Sequence, residues 1–118
     1  MSYDLNFWKY KNGVYLNNQS VYEKCSNGEI VDGLEELAID NIRQQITKKF
    51  SKWKMEESDN DWENSKGEGA FQIFHTTQFI RFDCYEMNGD DMNKIIDIML
   101  KFDCPLYDPQ VSQRYDNH

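Results

Sequence analysis

Two short alternating runs near the middle of the chain constrain its fold most. From Gln78 to Tyr85, Phe79, Arg81, Asp83 and Tyr85 fall on one face, and Ile80, Phe82 and Cys84 on the other. That is the period of two that a strand imposes. Phe71 to His75 also reads as a strand, and Thr76-Thr77 is the turn between the two. Strands joined so tightly must pair antiparallel. A sheet then needs a second layer to cover its apolar face.

The chain supplies that layer as helices. Between about Leu34 and Trp53, Ile39, Ile42, Ile46, Phe50 and Trp53 step by three, four, four and three, giving one continuously apolar helix face. Arg43, Lys48, Lys49 and Lys52 occupy the other side, and the bases of the last turns suit the helix dipole. A second helix is expected from Asp90 or Asp91, as cap, to about Phe102, burying Met92, Ile95, Ile96, Met99 and Leu100. Ser20 and Glu23 fit a capping box for a short additional helix ending before Gly28.

Strands are also expected at the two ends. Residues 3–10 alternate in part, with Tyr3, Leu5 and Phe7 on one face, and Lys11-Asn12-Gly13 comes next as a turn. Cys104 to Tyr107 reads as a last short strand, stopped by Asp108-Pro109. The order β-α-β-β-α-β predicts an α+β fold, a ferredoxin-like split βαβ sandwich with an antiparallel sheet and two helices on one face. A competing arrangement adds strands at residues 14–16 or 53–55. At 118 residues the chain fits one domain, residues 1–118.

The stretch from Lys54 to Glu68 is the most unusual in composition. It carries six acids (Glu56, Glu57, Asp59, Asp61, Glu63, Glu68) against Lys54 and Lys66, half of the chain's net charge of −8. A tryptophan, Trp62, stands in its middle. An acidic surface holding a large aromatic suits a basic protein partner; the alternative is a solvated loop whose Trp62 folds back onto the core. The basic helix end just before it, Lys48 to Lys54, could neutralise part of the run. Overall acidity disfavours nucleic acid, whose ligands carry a basic footprint, and docking on anionic lipid.

Catalytic chemistry has little to build on. His118 is terminal and His75 ends a strand, so neither has a second ligand at zinc spacing. Cys25, Cys84 and Cys104 are odd in number and lack a CxxC spacing, as in free thiols of a reducing cytosol. Cys25 or Cys84 with His75 would lack an orienting third group. Asp59, Asp61 and Glu63 resemble the start of a calcium loop, but Asn64 and Ala70 stand where it needs glycine and glutamate. Phe71, Phe74, Phe79 and Phe82 could stack RNA bases on a sheet, yet the K/R-G-F/Y-G/A-F-V signature of such domains is missing. No secretory leader or membrane-length apolar run is evident. No cofactor is expected.

The ends of the chain carry a resemblance. The opening MSYDLNFWKY and the closing CPLYDPQVSQRY resemble the ends of small bacterial immunity proteins of contact-dependent growth inhibition and related polymorphic toxin systems. Members often begin with a "MSYDLYF" strand and end with a "lYDPQ" segment; Asn6 departs from that pattern where an aromatic is expected. The resemblance covers Met1–Tyr10 and about Cys104–Tyr115, and the middle by element order. It implies a cytoplasmic, non-enzymatic protein, monomer or weak dimer when free. Such a protein would occlude a cognate toxin C-terminal domain, commonly a nuclease and therefore basic. On that reading Glu56, Glu57, Asp59, Asp61, Trp62 and Glu63 contact the toxin, with Trp62 as anchor and the carboxylates facing its lysines and arginines. Tyr107, Asp108, Pro109 and Gln110 would instead fix the last strand. Two other readings stand beside it. One is a regulatory module that dimerises through its sheet edge and binds a small molecule. The other is an acylphosphatase-type enzyme, for which Lys9–Tyr15 lacks the required arginine.

Overall fold

The structure is a computed structural model that describes residues 2–55, 60–64, 67 and 69–115. Its elements are β1 (Ser2–Trp8), α1 (Asn18–Ser26), α2 (Ile39–Lys49), β2 (Lys54–Met55), β3 (Asp61–Glu63), β4 (Ala70–His75), β5 (Phe79–Tyr85), α3 (Gly89–Leu100), β6 (Leu106–Asp108) and β7 (Gln113–Arg114). The strands form one antiparallel sheet in the order β2-β3-β4-β5-β1-β6-β7. The fold is therefore α+β; among the described residues seven strands exceed the expected four, while α1 is the expected short additional helix and β2 falls where the competing arrangement put a strand, at 53–55. The additions are β2 and β3, which lie within the acidic stretch, and β7 at the opposite edge.

The central hairpin forms as its alternation requires. β4 pairs with β5 from Ala70↔Tyr85 to His75↔Ile80, and the Thr76 N–H donates to the Phe79 carbonyl across the turn. β1 lies along the other side of β5, from Ser2↔Tyr85 to Trp8↔Phe79. One face of this sheet carries Leu5, Phe7, Phe71, Ile73, Ile80, Phe82 and Cys84. Beneath α2 and α3 they meet Ile42, Ile46, Phe50, Ile95, Ile98 and Met99 in the main core. Burial of this many apolar side chains is the chief favourable term in folding.

Among the described residues, the apolar cover on the other face gathers at one end. There Trp8, Phe79 and Tyr107 pack with Val21 and Cys25 of α1 and with Val31 and Leu34. The Tyr107 hydroxyl donates to Gln19 of α1. So α2 and α3 share one face, as expected, while α1 sits on the opposite one.

Three helices differ in detail from expectation. α2 begins at Ile39 rather than near Leu34, because the preceding chain is held extended by distant partners. The Lys11 N–H donates to Gly33, Glu35 to the Lys9 carbonyl and Leu37 to Thr77. The buried Gln78 amide donates to the Val31 and Leu34 carbonyls and accepts from the Val31 N–H. Those bonds outweigh the helical spacing of Leu34. α1 is capped by Asn17, whose side chain accepts from the Ser20 N–H, and α3 by Asn88, which accepts from Asp91. Each cap thus lies before the residue expected. In α3 it is Ile98 that is buried, whereas Leu100 is exposed.

Candidate functional site

The acidic stretch is divided by strand geometry. Within β3, Trp62 points into the main core, 2% exposed, and its ring stacks on Phe71 with centroids 5.0 Å apart and planes 7° apart. From α2, the Arg43 guanidinium lies 5.8 Å from the same ring and donates to the Asn60 side chain at 2.9 Å. The expectation of Trp62 as an anchor for a partner is therefore corrected. An indole already enclosed by Phe71 and α2 has no face left to offer.

Its neighbours Asp61 and Glu63 must point the opposite way, because successive strand residues alternate. Asp61 is half-buried and Glu63 exposed. The turn that carries β3 into β4 is closed by the Asn64 N–H donating to Gly69. Gly69 has φ 115°, and a Cβ there would lie 3.1 Å from the Met87 Cα, so only glycine fits without strain. Glu56, Glu57 and Asp59, the other expected contact residues, lie outside the described residues.

Asp61 does not stand alone on its face. Following the register across the sheet, Asp61 is opposite Gln72, Gln72 opposite Asp83, and Asp83 opposite Asp4. One row of side chains thus crosses β3, β4, β5 and β1, spanning roughly 14 Å at the usual strand spacing. The adjoining row on one side holds Glu63, Ala70 and the exposed Tyr85. On the other side, Arg81 binds Asp83 at 2.9 Å and lies 4.8 Å over the Phe74 ring. Of the described helices, α2 and α3 pack on the opposite face and α1 on the Trp8–Phe79–Tyr107 end, which leaves this half without one.

Asp4 and Asp83 are the tightest feature of the row. Burial raises the pKa of Asp4, and a hydrogen bond with Asp83 and that residue's charge raise it further; Arg81 acts in the opposite direction. Carboxylates placed directly opposite each other on paired strands oppose folding. Asp4, Gln72 and Asp83 were not among the residues expected from the sequence. Their signal was present in the alternation of β1 and β5, which puts Asp4, Asn6, Arg81 and Asp83 on the face away from the main core. What joined them into one row was the register.

The other candidate groups fall elsewhere. His75 is exposed at the end of β4, with Nδ1 3.3 Å from the Thr76 carbonyl oxygen. Cys25, Cys84 and Cys104 are buried free thiols. Burial is the chief cause that pushes their pKa up, to about 11 for Cys25 and about 12 for the other two. They are poor nucleophiles at neutral pH. Among the described residues, no group of three or more His, Cys, Asp or Glu is placed to hold a metal ion, and no helix is long and apolar enough to cross a membrane.

The two end segments meet in space. The Tyr3 hydroxyl donates to Asp108 Oδ2 at 3.0 Å, and the Gln110 N–H donates to Asp108 Oδ1 at 2.9 Å. Tyr107 is fully buried. Tyr107, Asp108 and Gln110 thus tie the last strands to β1. Comparison with known proteins adds no relative: no family model matches the chain, and no curated protein matches it.

Proposed function

We propose that this chain is a cytosolic, non-catalytic immunity-type protein that binds a basic toxin domain through the helix-free half of its sheet and neutralises it by occlusion. The observation that carries this reading is the row Asp4–Asp83–Gln72–Asp61, with Glu63 beside it. Like charges set face to face cost folding stability. Local conflicts of this kind are expected where a surface serves binding rather than folding. A net charge of −8 would steer a cationic partner and raise its association rate. That matters for an inhibitor that must act before the toxin does.

Two further features support the reading. The resemblance of both chain ends to immunity proteins names the class of partner, and a nuclease of that class would be basic. The buried free thiols suit a reducing compartment. We also read the four inner strands β4-β5-β1-β6, connected through α2 and α3, as a ferredoxin-like split βαβ core. On this reading β2, β3 and β7 are additions at its edges, and β3 extends the acidic row.

Co-expression with the toxin domain encoded immediately upstream tests the proposal. Growth is restored and the two proteins elute together on size exclusion if it holds. Continued toxicity with no complex would overturn it.

A further inference from the structure

With Trp62 turned inward, the acidic face carries a different exposed aromatic, Tyr85. It ends β5 on the same face as Arg81 and Asp83, because alternate residues of a strand share a face. The main core takes Phe82 and Cys84 from this strand and leaves Tyr85 42% exposed. On the β4 side its register partner is Ala70, whose single methyl cannot shield a tyrosine ring. Among the described residues, no other ring and no cation lies against it.

Carboxylates stand around this ring. Asp83 is two residues back on β5, Asp4 is opposite Asp83 on β1, and Glu63 is opposite Ala70 on β3. Glu63 is exposed. Lys54 of β2 is its register partner on the far side, yet among the described residues no ion pair joins the two.

We infer that Tyr85 is the aromatic contact of the acidic face and that it takes an arginine side chain of a basic protein partner. The inference rests on the reading of this face as a docking surface for such a partner, and adds the contact residue and the side chain it receives. The face already displays the chemistry once. Arg81 lies 4.8 Å over the Phe74 ring, while its Nε and Nη2 donate to the two oxygens of Asp83 at 2.9 and 3.4 Å. One planar guanidinium thus meets a ring and a carboxylate together. Tyr85 offers the same setting on the other side of Asp83. Arg81 offsets the charge of Asp83, so Asp4 and Glu63 supply the attraction there.

Arginine fits this setting better than other side chains. Its guanidinium is planar and weakly hydrated, so it stacks on a ring while its N–H fork meets a carboxylate. A lysine ammonium is compact and strongly hydrated; it gains from the carboxylates and less from the ring. An apolar side chain would cover the ring but strip water from nearby carboxylates without pairing them, which is costly.

Hexa-arginine and hexa-lysine peptides, equal in charge, test this on the whole protein at one salt concentration. Calorimetry reads the affinity and backbone amide shifts read the site. The arginine peptide should bind about two- to fivefold more tightly, with shifts at Glu63, Ala70 and Tyr85. Tyr85→Leu, which keeps an apolar side chain and removes the ring, should bring the two peptides to equal affinity. Tyr85→Phe should keep the preference. The inference is overturned if the parent binds both peptides alike or neither, if the shifts lie elsewhere, or if Tyr85→Leu keeps the preference. Any of those results alongside growth restored by co-expression removes the arginine contact and leaves the immunity reading standing. Toxicity that persists on co-expression tells against that reading itself.

Discussion

The indole of Trp62 lies flat on the ring of Phe71, with centroids 5.0 Å apart and planes 7° apart. This contact decides which way the acidic stretch faces. With Trp62 inward, Asp61 and Glu63 are turned to the helix-free side, Asp61 in line with Gln72, Asp83 and Asp4 and Glu63 in the adjoining row. The tryptophan fastens β3 to the core rather than serving as a contact. Trp62→Ala should therefore destabilise the fold by roughly 3–5 kcal/mol, the usual cost of removing a buried large aromatic. Urea unfolding monitored by circular dichroism measures it. A loss well under 1 kcal/mol would show that the ring is not held in the core.

That contact also marks where the sequence stops being informative. Alternation in β4 and β5 and the stepping of Ile42, Ile46 and Phe50 reveal the hairpin and α2, because period and burial are local properties. β3 is three residues long, too short for alternation to rise above a run of charges. Leu34 keeps helical spacing with the apolar residues of α2, yet Gln78, 44 residues on, holds it outside the helix. Asp4 and Asp83 are ordinary polar positions of two strands until the pairing sets them opposite each other. Non-local pairing, not local preference, decides each of these.

The Tyr3–Asp108 hydrogen bond joins the first strand to β6 across 105 residues. Asp108 is 6% exposed, so its charge depends on Tyr3 and the Gln110 N–H in place of water. Tyr3→Phe should lower stability by about 1.5 kcal/mol, the lower range for a bond to a charged group. Amide exchange should rise first in β6 and β7, the strands nearest the lost bond. Exchange rising evenly across the whole sheet would contradict the localised role.

The raised pKa of Asp4 fixes a sign for the pH dependence. In the folded chain its carboxyl holds its proton to higher pH than in the unfolded chain. As pH rises through the interval from about 3.8 to the folded value, the folded state binds more protons, so this group's contribution to stability falls. Above that interval the penalty is complete. Asp4→Asn should therefore stabilise the protein at neutral pH by about 0.2–1 kcal/mol, at the low end because water screens a half-exposed pair. The gap should close in acid below the unfolded pKa. Destabilisation by Asp4→Asn at neutral pH would contradict the repulsive pair.

The thiols give a test that does not depend on any partner. With pKa values of about 11 for Cys25 and about 12 for Cys84 and Cys104, thiolate is scarce in the native protein. Iodoacetamide at neutral pH should leave all three unmodified over hours and modify all three in denaturant, read by intact mass. Rapid native labelling of any one would place it in an open environment.

The central claim is that the helix-free acidic face meets a basic partner. The most direct measurement is the association rate of the Asp61→Lys/Glu63→Lys double variant with the neighbouring toxin domain, across a range of salt concentration. Both side chains lie on the face away from Trp62, and circular dichroism of the variant checks that it folds as the parent does. The account predicts association slower by about tenfold or more at low salt, with the difference shrinking as salt screens the charges. Equal rates for variant and parent at every salt concentration would contradict it.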